Sequence, residues 1–85
     1  MHRYSSALIH LEAIRQAAAR VEDAEVRAVA LDLVARIEMD YHLHRLSKGA
    51  MLTALDAFRG LPGTEESIRA LEAMAARGPS GWHGP

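Results

Sequence analysis

An all-α fold, a small bundle of three or four helices with a long second helix, follows from three features of the sequence. Alanine, leucine, arginine and glutamate dominate the 85 residues, a composition of strong helix formers. Proline occurs only at positions 62, 79 and 85, where it can end a helix but not interrupt the first half of the chain. Apolar residues recur at three- and four-residue steps, with no β-branched run to suggest a strand. Residues 1–77 read as a single helical domain, and residues 78–85 as an extended tail.

The first helix is predicted to start at Ser5 as N-cap, with Tyr4 and Ile9 at the two positions of a hydrophobic staple. Leu8, Leu11, Ile14, Ala18 and Val21 then form its apolar stripe. The stretch "RVEDAEVRA" holds neither glycine nor proline, yet the apolar phase changes across it. Continued past Val21, the stripe would reach Glu25, Asp32 and Arg36. The next apolar set is instead Val26, Val29, Ala30, Leu33, Ile37 and Tyr41, about 100° out of step. A break near Glu22 to Ala24, with Asp23 as the cap, accounts for the shift; one long helix with a stutter is the alternative.

The second helix is expected from about Ala24 to Ser47 or Lys48, with Gly49 as its C-terminal stop. As the longest element it would be the spine of the bundle. A third segment, Ala50 to Arg59, carries Met51, Leu52, Leu55 and Phe58 on one face. Leu61-Pro62-Gly63-Thr64 then predicts a type II turn, because glycine at its third position accepts the positive φ. Thr64 is placed as the N-cap of a fourth helix, with Glu65 and Glu66 favoured by its dipole. Ile68, Leu71, Met74 and Ala75 give that helix its apolar face, and Arg77 and Gly78 end it.

Size and charge narrow the function. A chain this short buries only about 60% of its unfolded surface, so a lone core is marginal and a partner chain is the first compensation to consider. Cysteine is absent, which excludes disulfides, thiolate metal sites and a cysteine nucleophile. Net charge is −1 with the two signs interspersed, so no basic stripe follows a phosphate backbone. No apolar run approaches a membrane span, and the N-terminal residues lack the apolar core of a secretory signal; a cytoplasmic protein is the expectation. Nine arginines against one lysine point to a GC-rich, bacterial genome.

The densest chemistry is "EMDYHLHRLSKG", residues 38–49. His42 and His44 lie about 200° apart on a helix and cannot share a metal. The facing pairs are Glu38 with His42, read as a solvated surface pair, and Asp40 with His44, which lie at the edge of the apolar stripe. Traced back in fours, the second pair extends an alternating ladder, Asp32, Arg36, Asp40 and His44, suited to fixing the register of a neighbouring helix. An alternative is a metal site built from Asp40 and His44 of two chains, aided by His10 or Tyr41. Neither Glu-x-x-His nor HExxH supports it, and no metal or cofactor is expected. The serines lack the setting of a nucleophile. A DNA-reading pair formed by the third and fourth helices is disfavoured by Glu65 and Glu66 at the start of the reading helix.

Apolar surface carries the remaining signal. Ile9, Leu31, Met39, Leu43 and Leu46 fall off the main stripes, more than one core of this size covers. Together with Trp82 in the tail they are the predicted partner-binding residues. The sequence therefore predicts a non-enzymatic helical interaction module, an adaptor, regulator or accessory subunit. It would pack against a larger protein or a second copy of itself, a dimer being expected over a monomer. Weak nucleic-acid binding is the remaining alternative.

Overall fold

The structure, a computed structural model, describes residues 6–43 and 45–76. Four helices and no strand occur among them: α1 (Ser6–Ala19), α2 (Ala24–His42), α3 (Lys48–Asp56) and α4 (Glu65–Ala76). The Tyr4–Ser5 start signal, His44, the Arg77–Gly78 stop and Trp82 lie outside the described residues.

The expected break between the first two helices is present, and both of its sides are tied down. Beyond α1 the chain tightens into a turn, with the amides of Arg20 and Val21 donating to the carbonyls of Ala17 and Ala18 at 3.1 Å each. Asp23 caps α2, its Oδ1 accepting from the amides of Glu25 at 2.9 Å and Val26 at 3.0 Å. The Arg27 guanidinium reaches back to the carbonyls of Val21 at 2.7 Å and Glu22 at 3.3 Å. Polar groups that a chain reversal would strand are thus paired by side chains two to six residues away.

The end of α2 differs from the sequence expectation. It stops at His42 with Leu43 as C-cap, and Gly49 is not the stop but the second residue of α3. Ser47 caps α3, its Oγ accepting from the Ala50 amide at 3.0 Å. Leu46 supplies the reason. In a helix continued past Leu43 its side chain would project opposite the core. Because the helix ends there, Leu46 turns inward and is only 6% exposed. Burying a leucine is worth about 1.5–3 kcal/mol, enough to offset one lost helical turn whose groups are recapped.

The spine is also a different helix. Instead of α2, the centre is α1, which packs against both α2 and α4, while α3 closes against α2 and α4. Leu11, Ile14 and Ala18 of α1 are fully buried and meet Val34 and Ile37 of α2, Met51 and Leu55 of α3, and Ile68 and Leu71 of α4 in one core. Phe58, just past α3, plugs its lower end at 1% exposure.

The α3–α4 connection holds the expected turn, with φ +86° at Gly63, near the +80° of a type II turn. Gly60, at φ +96°, lets the chain leave α3. Thr64 precedes α4 as expected, but its hydroxyl serves the loop and not the helix. Its one proton is shared between the Leu61 carbonyl at 2.8 Å and the Phe58 carbonyl at 3.1 Å, and the residue is wholly buried.

Candidate interaction surface

Helix α2 is rotated relative to the stripe read from sequence. Its buried residues are Ala30, Val34, Ile37 and Tyr41, a face turned by about 40° from the mean of the expected set. The rotation brings Val34 to full burial and carries Val26 and Val29, both assigned to the core by sequence, out to 47% and 69% exposure. Packing against α1 is the cause: α1 lies on the Val34 side of α2, so that side is the one covered.

Among the described residues, six large apolar side chains are exposed: Ile9, Val26, Val29, Met39, Leu43 and Leu52. Four of them belong to α2 or its cap. They form two groups. Val26 and Val29 line a groove between α2 and the α3–α4 loop, with Ala30, Leu33, Phe58 and Leu61 as its floor and far wall. Met39 lies in a shallow depression on the outer side of α2 with Ala35, Arg36 and Asp40, and Leu43 follows one turn later. Ile9 is on the outer side of α1.

The residues assigned to partner binding therefore divide. Ile9, Met39 and Leu43 are exposed as expected, whereas Leu31 packs against the core and Leu46 is part of it. Trp82 lies outside the described residues. Sequence reasoning missed Val29, the most exposed large aliphatic, because a β-branched residue at helical spacing reads as core; only the position of α1 distinguishes the two.

Of the Asp32–Arg36–Asp40–His44 ladder, one rung is formed among the described residues. Arg36 Nε lies 3.1 Å from Asp32 Oδ2, with both side chains well exposed. Asp40 is half-buried on the flank of α2, and His44 is outside the described residues. No group of three histidine, aspartate or glutamate side chains converges on a metal-binding geometry among the described residues.

A second polar cluster sits where α1 meets α2. Arg15 donates from Nε to Glu12 Oε1 at 2.8 Å, and a second bond joins the same two side chains. This partner holds the Glu12 carboxyl below the ordinary glutamate range. Glu38, expected on the solvated side with His42, is instead half-buried against this pair. Burial pushes its carboxyl up, the Glu12 charge adds to the rise, and Arg15 and His42 oppose it. The Glu12–Arg15 spacing is legible on one helix, but nothing local to Glu38 points to α1. At the other end, Arg59 bridges Asp56 at 2.8 Å and Glu72 of α4.

The buried polar residues among those described are Thr64 and Ser67, and the Thr64 hydroxyl is occupied by the loop it ties. No described helix is long and apolar enough to cross a membrane. Comparison of the chain with protein-family models, curated proteins and solved structures finds no match in any of the three.

Proposed function

We propose that this protein is a small non-enzymatic interaction module that works by helix packing, with α2 as the helix it presents. One observation carries the reading: α2 and its cap hold four of the six exposed large apolar side chains among the described residues. Single exposed aliphatics are ordinary on any protein. Their concentration on one helix, in a domain too small for a generous core, favours a surface that a partner covers. In this reading the module is an adaptor, regulator or accessory subunit, and its ion pairs set register instead of performing chemistry.

Sedimentation velocity across a wide range of concentration tests it. The native chain is expected to associate, and a variant with Val29→Ser, Met39→Ser and Leu43→Ser to stay folded by circular dichroism yet sediment as a monomer. A native chain that remains a single monomeric species throughout and also binds no other protein would count decisively against the reading.

A further inference from the structure

The outer face of α2 is patterned, not merely apolar. Val29, Asp32, Arg36, Met39 and Leu43 follow one another at steps of three, four, three and four, the spacing of a coiled-coil seam. The centre of this stripe lies about 150° round the helix from the buried stripe, so the two faces are independent. All five side chains are exposed: Val29 69%, Met39 59% and Leu43 48%, Arg36 76% and Asp32 62%. No change in the core is needed to use them.

Resting on the interaction reading, we propose that the occupant of this face is a second copy of the same chain, its α2 laid antiparallel across a twofold axis at the level of Val34. Charge selects this arrangement. In a parallel pair each seam residue meets its own copy, setting Asp32 against Asp32 and Arg36 against Arg36. Turned antiparallel about residue 34, Asp32 of one protomer faces Arg36 of its partner. Val29 faces Met39, and symmetry repeats both contacts, as a self-complementary interface requires. Two central ion pairs are then flanked on each side by an apolar layer.

The ends agree. Glu25 in the first turn of α2 comes alongside Leu43 at the end of the second copy's helix. The two helix dipoles run in opposition. The overlap spans Glu25 to Leu43, the whole helix with its cap. The ion pair that looks idle on the monomer's surface becomes the device that fixes direction and register.

Absence of cysteine from the chain makes the geometry directly testable in the full-length protein. Val29→Cys with Met39→Cys in one chain is expected to oxidise to a covalent dimer, while either single variant does not. Within one chain these positions are about 15 Å apart along the helix and cannot bridge. By sedimentation equilibrium, Arg36→Asp is expected to weaken the dimer about a hundredfold, the scale of a charge reversed at an interface. Adding Asp32→Arg to it restores the dimer, with helical content unchanged throughout. A native dimer that Arg36→Asp leaves intact, or Val29→Cys alone cross-linking as well as the pair, overturns the antiparallel seam while the interaction reading stands. A native chain monomeric at every concentration overturns the self-pairing of α2, while the interaction reading falls only if the chain also binds no other protein.

Discussion

Helices α1 and α2 draw on the same residue types and end up with opposite surfaces. In fourteen residues α1 buries Ala7, Leu11, Ile14, Ala17 and Ala18 and leaves one large apolar side chain, Ile9, in solvent. Over nineteen residues α2 buries four, and with its cap exposes four. Position accounts for the contrast. Neighbours flank α1 on two sides, so almost any apolar residue it carries is covered, whereas α2 is covered by α1 and only brushed by α3. An aliphatic residue on a central helix stabilises the fold; on a flanking helix it is free to serve an interface.

The contrast can be broken most sharply by equivalent truncations in the two helices. Leu11→Ala in α1 is expected to lower unfolding stability by about 2–5 kcal/mol. Val29→Ala in α2 should shift it by no more than about 0.5 kcal/mol. Urea denaturation at high dilution, where association does not contribute, measures both. Equal losses would mean that α2 is as central as α1.

A smaller effect is expected in the loop that seats α4 beside α1. Thr64→Val keeps the shape of the side chain but takes the hydroxyl donor from the Leu61 carbonyl, while the Phe58 carbonyl keeps the Leu61 amide, a cost of about 1–3 kcal/mol. Below that comes the cap that separates the two compared helices. Asp23→Ala is expected to cost about 1 kcal/mol, and hydrogen exchange should show the loss as faster exchange at the amides of Glu25 and Val26. Unchanged exchange there would mean that the break is held by Arg27 alone.

The smallest effect concerns the junction of α1 and α2, and its sign is the informative part. Because the Glu38 carboxyl titrates above its unfolded value, its ionisation opposes folding. Its contribution is most favourable below the unfolded pKa and is lost as pH rises through the folded one. Glu12 runs the other way: held low by Arg15, it stabilises above the ordinary glutamate range and loses that contribution as pH falls through its folded pKa. Glu38→Gln should therefore raise stability at neutral pH and steepen the loss on acidification, as followed by thermal melts across the carboxylate range. A melt lowered at neutral pH would show that Glu38 favours folding through its charge.

Much of the architecture is legible along the chain because its signals are local. The change of phase between Val21 and Val26 locates the first break, and Asp23 supplies the cap a helix needs there. Leu61-Pro62-Gly63-Thr64 encodes its turn through the φ preferences of two residues. The end of α2 is not legible, since no proline or glycine stands at Leu43 and the helix yields to the burial of Leu46, a nonlocal gain. At the candidate surface, Met39 and Leu43 are recoverable because they fall off every apolar stripe. Val29 is not, since its spacing alone is that of a core residue.

Helical class, the two chain breaks that carry their own caps and turns, and the alternating charges of Asp32, Arg36 and Asp40 are properties of the sequence by itself. They depend on backbone propensity and on spacing of a few residues. Which helix is central, which face of α2 is covered, and where Leu46 and Glu38 go were decided only in the tertiary structure. Those outcomes turn on where α1 lies beside α2. A rotation of about 40° about a helix axis changes the surface without altering any local preference.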